Sequence, residues 1–231
     1  MATDNNTEAL VSFIDKIKHH VHVTAEDRVS EIDNEFLRGF EFVAQYPKTV
    51  TIYGGTKIQE GSVYYEKARV LAKKIVEQTR CAVVTGGGPG IMEAANRGAK
   101  EANGDSIGIT IKLPHEQTTN KYVTASVNFY YFFVRRFILS FTAKCFVFFP
   151  GGFGTLDEFF EILTLRQTHK ISPVPIVLFG TEYWQPLEKL FRISLLEKYG
   201  TIRPEDLLIY NITDDEDGII EMVKKAHQRG Q

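Results

Sequence analysis

Two glycine-rich turns, each set between an apolar run and a helical pattern, constrain this chain more than any other feature. Ala82-Val83-Val84 leads into Gly86-Gly87-Gly88-Pro89-Gly90-Ile91-Met92-Glu93. Phe146-Val147-Phe148-Phe149 leads into Pro150-Gly151-Gly152-Phe153-Gly154-Thr155-Leu156-Asp157-Glu158. Each reads as strand, bare backbone turn, helix. Glycine lets the N–H groups of such a turn approach an anion, and the helix start adds partial positive charge. Two such turns in one chain point to a phosphorylated ligand, and the second sets an acidic pair just behind its cradle.

From Pro47 onward, strand and helix patterns alternate. Strands are predicted at Val50–Tyr53, Ala82–Thr85, Ser106–Ile111, Cys145–Phe149, Val174–Phe179 and Leu207–Tyr210. Helices are predicted at Tyr64–Gln78, after each glycine turn, and at Phe129–Thr142, Tyr183–Lys198 and Asp215–Gln228; a looser stretch covers Leu113–Gln117. Apolar strands alternating with helices predict an α/β, Rossmann-like fold, a parallel sheet with helices on both faces. Right-handed crossovers then bring the turns at Gly54, Gly86 and Gly151 to the carboxyl edge of the sheet. Residues 1–46 read as a helical extension to a catalytic domain over 47–231. Leu10, Phe13, Ile14 and Ile17 have helical spacing, as do Ile32, Phe36, Leu37, Phe40 and Val43. His19, His20 and His22 lie between these two helices and read as a solvated helix end.

The net charge of -2 gives no bulk attraction to nucleic acid or to an anionic membrane. No apolar run approaches the roughly 20 residues that span a bilayer, and the polar N-terminus does not read as a secretory signal. The expected compartment is the cytoplasm. Cys81 and Cys145 are then expected as buried free thiols. No zinc ligand set has the required spacing.

The first turn lacks the third glycine of the dinucleotide fingerprint and the Gly-Lys-Ser/Thr of a P-loop. A mononucleotide or sugar phosphate fits better, and the alternative is glycine needed only for packing. In the second turn, Thr155 falls at a helix N-cap or first-turn position, where its hydroxyl can cap the helix or bind a phosphate oxygen. Asp157 and Glu158 read as carboxylates of the same helix start, which the helix dipole alone can explain. Glu158 can also stabilise a cation developing one sugar ring away from the phosphate. Arg135 and Arg136 lie in an otherwise apolar helix, Tyr131-Phe132-Phe133-Val134-Arg135-Arg136-Phe137-Ile138-Leu139. A buried arginine there needs an anionic partner at the sheet edge; the alternative is a snorkelling surface arginine.

With both glycine motifs and the Tyr131–Arg136 stretch in view, the chain resembles the Lonely Guy (LOG) family, cytokinin riboside 5'-monophosphate phosphoribohydrolases long mislabelled as lysine decarboxylases. The resemblance runs from about Thr49 to Leu187, and the N-terminal extension looks like the longer bacterial branch. It implies a catalytic arginine at Arg135 and a catalytic glutamate at Glu158. It implies substrate or phosphate binding at Gly55, Thr56, Gly86, Gly87, Gly88, Met92 and Glu93. In the second half the binding positions are Arg136, Gly151, Gly152, Gly154 and Thr155. Gly55 stands where the family has serine, and Arg136 where it has lysine; both departures bear on substrate preference.

The implied reaction hydrolyses the N-glycosidic bond of a purine nucleoside 5'-monophosphate, AMP or a cytokinin ribotide, to free base and ribose 5-phosphate. No cofactor is implied. A homodimer or an assembly of dimers is. The rival from another class is a non-catalytic nucleotide or cofactor carrier of the same fold, which has no need of an Arg135–Glu158 pair. A DNA-processing protein is disfavoured by the charge. No lysine lies in a recognisable context for a pyridoxal phosphate Schiff base.

Overall fold

The computed structural model describes residues 24–112 and 118–228. Contacts divide the chain into residues 1–38 and 39–231. In the first unit, the described residues open on a cap. Thr24 Oγ1 accepts from Asp27 N (3.1 Å), and Asp27 Oδ2 accepts from Thr24 N (3.2 Å). This reciprocal pair satisfies backbone donors at the start of α1 (Ala25–Ala44). Helix α1 covers the second predicted amphipathic stretch, although Leu37 is exposed. The predicted helix around Leu10–Ile17, the three histidines that follow it and Leu113–Gln117 lie outside the described residues.

The second unit is built on seven strands. They are β1 (Thr49–Tyr53), β2 (Ala82–Thr85), β3 (Ser106–Ile111), β4 (Ala125–Phe129), β5 (Ala143–Phe148), β6 (Ile176–Phe179) and β7 (Tyr210–Thr213). Every pairing is parallel, in the order β4-β3-β2-β1-β5-β6-β7. The intervening helices are α2 (Val63–Thr79), α3 (Ile91–Glu101), α4 (Phe132–Phe141), α5 (Phe153–Gln167), α6 (Thr181–Leu190) and α7 (Glu216–Gln228). This is the Rossmann-like α/β architecture expected from the alternation. Because β1 pairs with β2 on one side and β5 on the other, the strand order reverses beside β1, and a crevice opens at the carboxyl ends there.

Strand alternation divides the core. Val50, Ile52, Val83, Cys145, Val147 and Val177 pack under Leu71, Ala72 and Ile75 of α2, Ile91, Ala94 and Ala95 of α3, and Ile219, Ile220 and Val223 of α7. Each large aliphatic side chain so buried contributes about 1.5–3 kcal/mol. On the opposite face Thr51 Oγ1 donates to Leu139 O of α4 (2.9 Å). Phe148 meets Phe159 of α5 edge-on, and Phe159 meets Trp184 of α6. Helices α2 and α3 approach closely because residue 98 is glycine: a Cβ there would stand 1.9 Å from Arg69 O. Cys81 and Cys145 are buried free thiols, as expected, and burial raises the pKa of both.

Three elements depart from the expected pattern. Strand β4 was not predicted. Its Ser126 and Asn128 are exposed while Val127 and Phe129 are buried, so an edge strand carries no continuous apolar run. The last strand begins at Tyr210 rather than Leu207, because Pro204–Leu208 forms a 3-10 turn in which Asp206 accepts from Arg203 N (2.8 Å). The long helix after β6 keeps α geometry only to Leu190 and continues as a π-helix over Phe191–Lys198. Among the described residues, no helix is long and apolar enough to cross a membrane.

Candidate active site

The carboxyl ends of β1, β2 and β5 surround a cavity of about 370 Å³. The β1 turn enters through Gly54, Gly55 and Thr56, the first glycine turn through Gly86 and Met92, and the second through Gly152–Thr155 and Glu158. Arg135 reaches in from α4. Topology thus brings together segments about a hundred residues apart in sequence.

The two glycine turns differ in what their backbones can offer a ligand. Helix α5 begins at Phe153 with Gly152 as N-cap, and no side chain caps it. The first backbone bond of its ladder runs from Leu156 N to Gly152 O (3.1 Å), so the N–H groups of Phe153, Gly154 and Thr155 have no intrahelical acceptor. They lie at the cavity with the positive end of the helix dipole. A Cβ at Gly152 or Gly154 would meet nothing within 4 Å. Packing therefore does not require glycine at either position, and the bare backbone leaves room for a ligand. Gly151 is different: a Cβ there would fall 2.2 Å from Thr155 Oγ1. Thr155 is buried in the first turn of α5, as the sequence predicts, and its hydroxyl has no hydrogen-bond partner among the described residues.

The first turn is tied into the protein. Gly87 N donates to Thr85 Oγ1 (2.9 Å), and the carbonyls of Gly87 and Gly88 accept from Asn120 Nδ2 (3.1 and 3.0 Å). Asn120 also donates to Asn96 Oδ1 (2.9 Å), which accepts from Thr85 Oγ1 (2.7 Å). Gly87 and Gly88 are buried and line a small adjoining hollow. The Gly87 N–H, expected to face a phosphate, has an acceptor inside the fold. Gly55 N is likewise bonded to Pro150 O (2.9 Å), locking the β1 turn to the second glycine turn. Asn96 and Asn120 were missed by sequence reasoning because nothing local marks them. Their pairing depends on β3 and the segment after it folding back beside β2.

Arg135 is buried, as its apolar helix predicts. Its Nε donates to Ile109 O (2.9 Å), and Nη1 stands 3.3 Å from Glu158 Oε1. The guanidinium passes over Gly86, where a Cβ would come within 2.4 Å of Nη2. Glu158 is 18% exposed at its side chain. Burial pushes its pKa up to about 7; Arg135 opposes the shift, while Asp157 and Glu161 add to it. Near neutral pH the carboxyl is therefore divided between its two protonation states, which suits a group that accepts or donates a proton.

The neighbouring charges serve other partners. Arg136 Nη1 donates to Asp157 Oδ2 (2.7 Å), and its Nε lies 3.4 Å from Glu161 Oε2. Arg136 does not line the cavity. Glu93 turns away as well and accepts from Tyr65 Oη (3.1 Å). Because α5 starts at Phe153, Asp157 and Glu158 sit in its second turn rather than its first. The helix dipole fades beyond the first turn, so Asp157 is explained by its arginine instead. Glu161 shares that arginine with Asp157.

The family model described as "Possible lysine decarboxylase" matches residues 92–223. A curated relative from Rhodococcoides fascians, named cytokinin riboside 5'-monophosphate phosphoribohydrolase, is 24% identical over 185 residues, covering 77% of this chain and 90% of its own. Among solved structures, the molybdenum cofactor binding protein from Rippkaea orientalis superposes with a TM-score of 0.56 at 21% identity, covering 78% of this chain and 96% of its own. The Moco carrier protein from Chlamydomonas reinhardtii superposes with a TM-score of 0.54 at 26% identity, covering 79% and 97%.

Proposed function

The chain belongs to the family described as possible lysine decarboxylases, the LOG family, and from that premise we propose that it hydrolyses the N-glycosidic bond of a purine nucleoside 5'-monophosphate. The observation that carries the reading is Glu158, poised near neutrality beside an uncapped helix start. Phosphate would sit on the N–H groups of Phe153, Gly154 and Thr155, with the Thr155 hydroxyl as a further donor. The ribose would then lie toward Glu158 and Arg135.

In the reaction, the bond between C1' and the purine nitrogen breaks and its electron pair leaves with the base. Positive charge develops on the ribose, as in glycoside hydrolysis generally. The Glu158 carboxylate would stabilise that charge and take the proton from the water that adds to C1'. The departing base takes up a proton, so nucleotide and water become free base and ribose 5-phosphate. Arg135 would hold Glu158 in place through Nη1 while Nη2, which lies over Gly86, faces the nucleotide. Binding the distant phosphate supplies energy that can act at the sugar. Decarboxylation of lysine has no support in the site: no lysine lines the cavity among the described residues.

A second reading, a cofactor carrier without turnover, is favoured by the likeness to the Chlamydomonas reinhardtii protein. One experiment separates the two. The purified protein is incubated with AMP, GMP, CMP, a cytokinin ribotide and adenosine, and released bases are resolved by chromatography. The hydrolase releases base from a purine nucleotide and not from adenosine. Equal rates on adenosine and AMP would remove the phosphate anchor, and no release from any nucleotide would leave the carrier.

A further inference from the structure

Tyr53 is the last residue of β1 and lines the cavity. It points to the face opposite Val50 and Ile52, and its ring stacks on Phe148, its register partner, at 4.7 Å between centroids and 8° between planes. The residue is only 4% exposed, yet its hydroxyl has no hydrogen-bond partner among the described residues. Nor is it one of the sealed side-chain atoms without a hydrogen bond, which among the described residues are Arg136 Nε and Arg166 Nε. The opening left to it is the cavity that Tyr53 lines. A phenylalanine would fill the same aromatic stack without burying a polar atom that lacks a partner.

We propose that Tyr53 is a substrate-contacting residue whose hydroxyl hydrogen-bonds a hydroxyl of the sugar held between the second glycine turn and Glu158. The proposal rests on the nucleotide reading above. Three considerations single out the sugar. The phosphate has its own donors in the proposed reading, the uncapped N–H groups at the start of α5. At Tyr53 the Glu158 carboxylate outweighs the opposing Arg135 guanidinium, so an anion is disfavoured there and a neutral hydroxyl is not. Tyr53 also shares the cavity with the Arg135–Glu158 pair, where the reacting ring would lie. Burial first, and then Glu158, raise the phenol's pKa well above 10.0. Tyr53 therefore keeps its proton through the physiological range and can both donate and accept.

The test compares the wild-type protein with Tyr53→Phe by calorimetric titration, using ribose 5-phosphate and inorganic phosphate as separate probes. Thermal unfolding of both proteins without ligand completes it. Loss of one neutral hydrogen bond should weaken ribose 5-phosphate about tenfold, leave inorganic phosphate unchanged, and leave the unfolding temperature unchanged or higher. Unchanged ribose 5-phosphate affinity with a lower unfolding temperature would mark a structural hydroxyl and overturn the assignment. Equal weakening of both probes would also overturn it, by moving the contact to the phosphate. Failure of the wild-type protein to bind ribose 5-phosphate would overturn the nucleotide reading itself and the Tyr53 assignment with it.

Discussion

Arg135 Nη1 stands 3.3 Å from Glu158 Oε1, and this contact joins the helix before β5 to the helix after it across the mouth of the sheet. The same guanidinium donates to Ile109 O within β3. One arginine therefore touches three segments of the carboxyl edge. It does not hold Glu158 at the ordinary carboxylate pKa, because burial outweighs its attraction.

The two adjacent carboxylates should separate by function. Glu158→Gln should lower base release from AMP by at least about 100-fold, the scale of losing a positioned acid–base group. Asp157→Asn weakens one of the two carboxylate contacts of Arg136, 2.7 Å away, removes a charge that helps to raise the pKa of Glu158, and should leave turnover within a few-fold of wild type. Chromatographic rates on both variants decide the matter; near-normal turnover by Glu158→Gln with loss in Asp157→Asn would reverse the assignment.

Glu158 should also appear in the pH dependence of stability. Its folded pKa of about 7 lies above the ordinary 4.5, so the folded state holds the proton more tightly. Its favourable contribution is complete below about pH 4.5 and is lost as pH rises through 7. The loss is on the order of 3 kcal/mol. Denaturant unfolding of wild type and Glu158→Gln between pH 4 and 8 should show stability curves that diverge by that amount. Parallel curves would mean that Glu158 titrates normally. Activity carried by the carboxylate should rise through the same pH range.

Arg135→Ala should abolish turnover, lose the bond to Ile109 O and leave the far-ultraviolet circular dichroism spectrum intact. Because Arg135 opposes the upward shift of Glu158, its removal should push that pKa higher still. Any residual activity should then need a higher pH. Arg135→Lys keeps the charge without the fork that spans Ile109 and Glu158, and should rescue only part of the rate. Full activity in Arg135→Ala would exclude it from the mechanism.

The glycines should fall into two groups. Gly90 has φ +73, and a Cβ there would lie 2.3 Å from Gly55 O. Gly90→Ala should sharply reduce the yield of folded protein. Gly152→Ala and Gly154→Ala meet open space and should fold with a near-native unfolding temperature while binding inorganic phosphate at least several-fold more weakly. Unimpaired phosphate binding in both would move the cradle elsewhere.

Local pattern determined much of this protein. The alternation of apolar runs with helical spacing was enough for the parallel α/β fold, because strand and helix periodicities are written into neighbouring residues. The glycine turns marked the carboxyl edge of the sheet where the cavity lies, and an arginine in an apolar helix announced a buried pair. Edge strand β4 escaped because its outer residues face solvent and it shows no apolar run. Only the tertiary structure decided which backbone donors are available. The Gly87 and Gly55 N–H groups are bonded within the fold, whereas the start of α5 is not capped by a side chain. It also decided which arginine meets which carboxylate, brought Asn96 and Asn120 beneath the first turn, and left the Tyr53 hydroxyl at the cavity without a partner. Each of these depends on where strands distant in sequence come to lie side by side, and spacing along the chain carries no record of that.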